Sequence, residues 1–304
     1  MAKLDWQYEL RQLREDHRSG AREIATRALH LLLDRVGDSQ PRGVNSYRRW
    51  LLRSGRELIA VQPAMGVLFR MVNDMLWASD RALNAETIRQ DAMAFLQDYQ
   101  MRSGARIDTL NHQASDHLAR YERIATHSRS STLVGALSLM RRKRLKVYCG
   151  EGRPMYEGQT LANELAWAGH SVVLGVDMAL FGWLSQVDAL VVGADGLSRD
   201  GLVNQLGTAA LMRAAADLEL PRIVICTVDK LLPAHCLPKA GLGGGDPQEI
   251  MPASEEAIEI RNDYFDVTPL EDVSLVLTDE GILQGETLYR KLDGLEIYPG
   301  LRSA

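Results

Sequence analysis

The sequence has little of what builds secreted, fibrous or membrane proteins. Only three of its 304 residues are cysteine, and they lack the C-x-x-C spacing of zinc sites and the even count of disulfide frameworks. Ten prolines and 25 glycines exclude a collagen-like or low-complexity chain. No apolar run approaches the ~20 residues of a membrane-spanning helix, and the N-terminus lacks a signal-peptide core. We therefore expect a cytoplasmic protein with no metal site and no membrane partner.

An excess of charge of one sign is also lacking. Lys and Arg total 35 and Asp and Glu total 40, which gives a formal charge of -5. Because nucleic-acid binding usually needs a basic surface, we expect no direct nucleic-acid partner. The apolar fraction of 46% is that of a globular protein, and the chain length favours two domains.

Two regions with different periodicity follow one another along the chain. Residues 1–119 predict a helical domain because apolar residues recur at helical spacing over 4–36, 46–59, 64–77 and 85–121. Residues 120–304 instead alternate β-rich runs with helical segments. The runs are 123–126, 145–149, 171–176, 189–192, 222–227 and 274–277, and helical segments include 161–168, 177–184 and 205–218. This alternation predicts an α/β fold whose mostly parallel sheet carries helices on both faces.

In such folds ligands bind beyond the carboxyl ends of the strands. After the first run, Ser128, Arg129 and Ser130 precede a helix, where hydroxyls, free backbone N–H groups and a guanidinium can bind an anion. N-capping of that helix by Ser130 or Ser131 is the structural alternative, and both stay open.

Charged and polar residues follow other runs at the same predicted edge. Arg153 is a bidentate donor for phosphate or carboxylate, and Asp195 can act as a general acid or base or cap the next turn. Asn204 can cap a helix or bind a ligand hydroxyl. Asp177 follows another run and could simply cap a helix, and Lys230 could simply be an exposed surface residue. Their shared location at one predicted edge of the sheet favours a common site.

Taken in order, these segments resemble the family that joins the α, β and δ subunits of initiation factor 2B with methylthioribose-1-phosphate isomerase and archaeal ribose-1,5-bisphosphate isomerase. The similarity covers residues 120–285 and is faint in the helical half. The matching pieces are Thr-His-Ser-Arg-Ser at 126–130, Glu-Gly-Arg-Pro through Gly at 151–158, Gly-Ala-Asp at 193–195, the 204–208 segment and Phe-Asp-Val-Thr-Pro at 265–269.

The resemblance implies a helical N-terminal domain on a Rossmann-like C-terminal domain, and a homodimer or higher homo-oligomer. In the isomerases of this family, a cysteine and an aspartate interconvert an aldose and a ketose phosphate without metal or nicotinamide. The aspartate position is Asp195 here, whereas the cysteine position is Ser128. No cofactor is therefore expected.

Two cationic positions of the isomerases also differ. A phosphate-binding arginine falls at Gln62 and a lysine at Gln205. Each lost charged hydrogen bond would weaken the binding of a doubly phosphorylated ligand by about 1.5–3 kcal/mol. Arg153 and Lys230 remain to bind a single phosphate. A serine hydroxyl, unlike a thiol, also needs an adjacent base to ionise near neutrality.

Two functions stay open on these grounds. The first is an aldose–ketose isomerase of a phosphorylated pentose, with Asp195 as proton carrier, Ser128 positioning a hydroxyl and Arg153 holding phosphate. The second is a non-catalytic regulatory protein that binds a sugar phosphate or nucleotide, like the initiation factor 2B subunits.

Overall fold

The computed structural model describes residues 5–16, 19–140, 143–236, 242, 244–252 and 257–302. Helices fill the described chain before the first strand, as the periodicity predicts. They are α1 (Trp6–Glu15), α2 (Ala21–Gly37), α3 (Val44–Ile59), α4 (Gly66–Ala78) and α5 (Ala85–Leu118).

The helix starts follow from local side-chain chemistry. The Asp5 carboxylate accepts hydrogen bonds from the backbone N–H groups of Gln7 and Tyr8 at the start of α1. The Asn84 side chain accepts one from the Thr87 N–H at the start of α5. Such caps satisfy donors that the first helical turn leaves unpaired.

The long helix α5 belongs to two hydrophobic cores. Its first half contributes residues such as Ile88 and Leu96 to the core of the helical half. Its second half contributes Leu110 and Leu118 to a core that also contains sheet residues. At 34 residues the helix is about 50 Å long, which is enough to reach both. A division at residue 119 stays a prediction.

A seven-stranded sheet forms the centre of the second half, with the order β10-β9-β7-β4-β1-β2-β3. All neighbours are parallel except β9 and β10. The strands of this sheet are β1 (Arg123–Thr126), β2 (Lys146–Gly150), β3 (Ser171–Gly175), β4 (Ala189–Val192), β7 (Arg222–Ile225), β9 (Leu275–Thr278) and β10 (Gly281–Leu283). The helices of this half are α6 (Ser131–Ser138), α7 (Glu157–Trp167), α8 (Ala179–Trp183), α9 (Thr208–Asp217) and α10 (Gly285–Asp293).

The central strand β4 shows why the apolar runs predict this sheet. All four of its residues are fully buried, because helices cover both faces of a parallel sheet. The predicted α/β architecture is thus confirmed. Among the described residues, no helix is both long and apolar enough to cross a membrane.

The order of strand addition reverses at β1. The chain proceeds outward from β1 to β2 and β3, then returns to the other side of β1 with β4. At such a switch point the loops leaving the two central strands turn in opposite directions and open a crevice. Folds of this kind bind ligands at the switch point, so the carboxyl ends of β1 and β4 are the candidate ligand site.

A second, antiparallel sheet was not predicted from the sequence. It consists of β5 (Gly196–Ser198), β6 (Gly201–Gln205) and β8 (Phe265–Thr268). The prediction that a helix opens at Gln205 was wrong: that residue ends β6, and α9 begins only at Thr208. Gly207, with φ of +102°, makes the turn between them in a conformation that favours glycine.

The buried strand at the sheet centre gives a direct test of the packing. Replacing the fully buried Leu190 of β4 by alanine is expected to lower the free energy of unfolding by about 3 kcal/mol, because a cavity remains. Leu174 on the edge strand β3 is 44% exposed, so Leu174→Ala is the matched control and should cost less than about 1 kcal/mol. Urea denaturation followed by circular dichroism measures both; equal losses would contradict this packing.

Candidate functional site

The ends of β1 and β4 bring two predicted segments side by side. The strands pair in register, with Ala125 opposite Leu190. At the end of β4, a Cβ added to Gly193 would lie only 2.9 Å from both Cβ and Oγ of Ser130. A glycine is therefore needed for the close approach of the 128–130 segment to the 193–195 segment.

Ser128 occupies a strained position at this junction. Its φ of +68° lies in the left-handed region that non-glycine residues rarely adopt. The side chain is half-buried. Within the described residues, no hydrogen bond of its hydroxyl is found. The Ser128 hydroxyl therefore has no hydrogen-bonded base among the described residues, and its contact with a ligand stays a prediction.

Asp195 lies beside Lys230, which follows β7. Burial raises the pKa of the Asp195 carboxyl above its ordinary value, and the positive charge of Lys230 opposes that shift. The Lys230 ammonium donates to the carbonyl of Ala194 at 2.5 Å. The Asp195 backbone is fixed on both sides, because its N–H donates to Val203 O at 2.9 Å and its carbonyl accepts from Gly66 N at 2.8 Å. The charge of Lys230 therefore acts on the Asp195 carboxyl close to the carboxyl end of β4.

Arg153 lies in the loop between β2 and α7 and is exposed. Its guanidinium donates to the Tyr156 hydroxyl at 2.7 Å and lies over that ring. Asp177 shapes the loop, since its carboxylate accepts from the N–H groups of Gly152 and Arg153, each at 2.8 Å. Asp177 therefore holds the loop rather than capping α8. The phosphate role of Arg153 stays a prediction.

Arg129 and Ser130 have partners within the protein. The Arg129 guanidinium donates twice to the Glu164 carboxylate of α7, at 2.9 and 2.6 Å, and this pair raises the pKa of Arg129. The Ser130 hydroxyl accepts from Leu133 N at 3.3 Å, which makes it the N-cap of α6. The capping alternative is thus observed, and anion binding by these two residues stays a prediction.

Gln62 and Asn204 are also engaged. The buried Gln62 amide donates to the carbonyls of Leu13 and Asp16, at 3.1 and 3.2 Å, and so ties the end of α1 to the segment before α4. The buried Asn204 amide donates to Thr208 Oγ1 at 3.0 Å. Asn204 lies in β6 and does not cap α9. Whether either residue contacts a ligand stays a prediction.

The α9 start depends on a residue that sequence reasoning did not assign. The Asp266 carboxylate of β8 accepts from the N–H groups of Gly207 and Ala209, at 2.7 and 3.1 Å. Burial raises the pKa of this carboxyl, although the two hydrogen bonds oppose the shift. Asp266 lies in the Phe-Asp-Val-Thr-Pro segment, which the sequence analysis identifies as a family motif. Its contact with Ala209 could not be predicted, because the two residues are 57 positions apart along the chain.

Glu157, the first residue of α7, is a second unassigned carboxyl. Burial raises its pKa to about 7, while a hydrogen bond from the Gln205 side chain opposes the shift. Gln205 also approaches the Arg153 carbonyl at 3.5 Å. From sequence, an acidic residue in a first helical turn indicates only complementarity to the helix dipole. Glu157 is thus a titratable group close to neutrality beside the Arg153 loop.

The cysteines do not supply the missing thiol. Burial raises the pKa of Cys149 to about 11 and that of Cys226 to about 12, which keeps both as unreactive thiols. Among the residues that the structure describes, no cluster of three or more metal-ligating side chains is present.

Comparison with known proteins identifies the family. The sequence model of the initiation factor 2 subunit family matches residues 17–285. The chain belongs to this family. The match extends through α2 to α5, so the faint resemblance of the helical half is part of the same relationship.

Relatives in the family carry different names. A ribose 1,5-bisphosphate isomerase of Archaeoglobus fulgidus is 31% identical over 175 residues, 55% of this chain and 55% of that protein. The match thus spans about half of that relative. A putative translation initiation factor eIF-2B subunit 2-like protein of Pyrococcus horikoshii is 30% identical, with 75% of this chain and 78% of that protein covered. A methylthioribose-1-phosphate isomerase of Pelotomaculum thermopropionicum is 29% identical, covering 79% and 73%.

Solved structures share the fold. The translation initiation factor eIF-2B of Pyrococcus horikoshii aligns with a TM-score of 0.77 at 24% identity, over 94% of this chain and 98% of that one. The tetrameric eIF2B-beta2-delta2 complex of Chaetomium thermophilum gives 0.75 at 18% identity, over 94% and 93%. The expected family architecture is confirmed.

The Glu157 carboxyl gives this site a testable pH dependence. The pKa of Glu157 is about 7 in the folded protein, which is above its value in the unfolded chain. The folded protein therefore binds this proton more tightly. Its stability falls as the pH rises from the unfolded-state pKa to the folded-state pKa. Glu157→Gln removes the ionisation. Between about pH 4.5 and about pH 8, the free energy of unfolding of the variant should rise by up to about 3 kcal/mol relative to that of the wild type.

Urea unfolding at several pH values measures this difference. Glu286→Gln is the matched control, because Glu286 is a highly exposed carboxyl in the first turn of α10. A stability difference that is independent of pH for Glu157→Gln would contradict the shifted pKa.

Proposed function

We propose that this protein binds a phosphorylated pentose between the ends of β1 and β4 and interconverts its aldose and ketose forms. The observation that carries the proposal is the Asp195 carboxyl, partly buried beside Lys230 at the switch point of the sheet. The names of the isomerase relatives support the same chemistry.

Aldose–ketose interconversion moves a proton between two neighbouring carbons through an enediol. Asp195 takes the proton from the carbon next to the carbonyl and returns it to the former carbonyl carbon, while a second proton moves in the same sense, from the neighbouring hydroxyl oxygen to the carbonyl oxygen. Burial raises the pKa of Asp195, which strengthens it as a base. The adjacent Lys230 ammonium favours negative charge developing on the sugar oxygens.

The other roles follow from position. The exposed Arg153 guanidinium, in the loop between β2 and α7, binds the phosphate as a bidentate donor. Ser128 positions a sugar hydroxyl, because its own hydroxyl has no hydrogen-bonded base within the described residues and cannot readily form an alkoxide. No metal or nicotinamide is needed for this proton transfer.

A regulatory role is the second candidate. The serine at position 128 is the observation that favours it, since this serine occupies the place of a catalytic cysteine and the buried thiols of Cys149 and Cys226 do not replace it. In that case the same crevice binds a sugar phosphate or nucleotide without turnover, and Arg129, Ser130, Asn204, Gln205 and Gln62 contribute only to the shape of the site.

We also propose that the protein works in the cytoplasm as a homodimer or higher homo-oligomer. The tetrameric eIF2B-beta2-delta2 complex is a structural neighbour over most of both chains, which supports assembly but does not give its size. Analytical ultracentrifugation of the purified chain tests this directly; a monomer at micromolar concentration would contradict it.

The isomerase proposal predicts the effect of one substitution. Asp195→Asn keeps the shape of the side chain and removes the proton carrier, so turnover of pentose phosphates should fall by about 10²–10⁴-fold. The measurement is aldose and ketose quantification by NMR after incubation with a panel of pentose phosphates. Asp217→Asn, at an exposed position near the end of α9, is the control and should keep full activity.

The outcomes separate the two candidates. Equal turnover by wild type and Asp195→Asn would exclude Asp195 as the proton carrier. If neither protein converts any sugar but a ligand at a hundredfold excess over its Kd stabilises the fold by about 2.7 kcal/mol, the regulatory function is the correct one. Absence of both turnover and stabilisation would contradict a sugar-phosphate site.

A further inference from the structure

The turn that carries Lys230 is held from the helical half of the protein. This turn is a short 3-10 helix, Val228–Lys230, which follows β7. The Tyr99 hydroxyl of α5 donates to Oδ2 of Asp229 at 2.6 Å, and the Thr227 hydroxyl donates to Oδ1 of the same carboxylate. Each oxygen of Asp229 therefore has its own hydroxyl donor, and one of these donors comes from α5.

The Tyr99 hydroxyl is a donor at every pH at which the folded protein works. Burial and then the negative charge of Asp229 raise the pKa of Tyr99 well above its ordinary value. The positive charge of Arg106 in α5 opposes this shift, and the negative charge of Asp74 in α4 adds to it. The phenol therefore keeps its proton, and its bond to Asp229 persists while carboxyl groups titrate.

The charges of Asp229 and Lys230 lie in one neighbourhood. Burial raises the pKa of the Cys226 thiol to about 12; the charge of Lys230 opposes this shift and the charge of Asp229 adds to it. The Lys230 ammonium donates to the carbonyl of Ala194 at 2.5 Å. A carboxylate binds an ammonium more strongly than an amide carbonyl does. Asp229 is therefore a competitor for Lys230 unless other donors engage its oxygens.

We propose that Tyr99 is a positioning residue whose hydroxyl keeps the Asp229 carboxylate from binding the Lys230 ammonium. The ammonium then stays on the carbonyl of Ala194, where its charge acts on Asp195. The part that Tyr99 plays in turnover rests on the proposed function, whereas its effect on the charges around Asp195 needs no ligand. A residue of the helical half thus sets the charge next to the proposed proton carrier.

The test is a titration of Asp195 in the ligand-free protein by NMR, with aspartate labelled with ¹³C at the carboxyl carbon. The Asp195 signal is assigned by its loss in Asp195→Asn. Tyr99→Phe removes only the hydroxyl, so the Asp229 carboxylate should draw the ammonium away. The titration midpoint of Asp195 should then rise by about one pH unit, because a nearby positive charge is lost.

Tyr298→Phe is the matched control. The Tyr298 hydroxyl also donates to a carboxylate, that of Asp80 just after α4, at 3.0 Å. The same substitution there removes the same kind of hydrogen bond and should leave the midpoint of Asp195 unchanged.

A second substitution separates positioning from a merely structural role. Asp229→Asn removes the competing negative charge, so the double variant Tyr99→Phe/Asp229→Asn should return the Asp195 midpoint to that of the wild type. Asp229→Asn alone should leave the midpoint unchanged. A packing defect caused by Tyr99→Phe would not be repaired by the second change. Circular dichroism checks that each variant is folded.

The same variant has a kinetic signature if the protein is an isomerase. Tyr99→Phe should lower kcat for a pentose phosphate by about tenfold or more, because the Lys230 charge no longer stabilises the developing negative charge. KM should change less, and the acidic limb of the pH profile of kcat should move upward with the Asp195 midpoint.

Each outcome decides one claim. An unchanged Asp195 midpoint in Tyr99→Phe overturns the positioning role, as does an equal shift in Tyr298→Phe or a shift that persists in the double variant. A raised midpoint that the double variant restores upholds the positioning role even where no sugar is converted, and the proposed isomerase then fails alone. Turnover that depends on Asp195 but is the same in Tyr99→Phe as in the wild type upholds the isomerase and overturns the positioning role.

Discussion

The parallel pairing of β1 with β4 is the constraint on which the site depends. This pairing fixes the place where the order of the strands reverses, which is where open α/β sheets form their ligand crevice. Gly193 permits the two loops to approach at that point, since any side chain would collide with Ser130. Asp195, the proposed proton carrier, and the strained Ser128 are therefore positioned by backbone hydrogen bonds and by close packing.

Carboxylates hold much of the site's backbone. Asp177 fixes the Arg153 loop, and Asp266 fixes the start of α9. Both accept backbone N–H groups that no strand or helix pairs, so each loop keeps one shape before a ligand arrives. Pre-organisation of this kind reduces the ordering cost of binding.

Sequence reasoning predicted the regular parts of the fold well. Apolar runs such as that of β4 are unambiguous because burial on both faces removes polar residues, and the boundaries of β1 and β4 agree with the structure. It failed at Gln205, because the short strands of the second sheet carry too few residues for a periodic signal. For the candidate site, the motifs indicated two segments, 128–130 and 193–195, that the structure brings together; their role in binding a ligand stays a prediction. The partners of Arg129 and Gln62 could not be predicted, since Glu164 and Leu13 lie 35 and 49 residues away along the chain.

The helix α5 has a mechanical consequence. One end is embedded among helices and the other among residues of the sheet, and between these ends the Tyr99 hydroxyl donates to Asp229 at 2.6 Å, next to Lys230. A helix that is packed into a hydrophobic core at each end cannot act as a hinge unless it bends or exposes apolar surface. Rigid-body opening of the two halves is therefore costly, and entry and exit of the proposed ligand would depend on local rearrangement of side chains and loops.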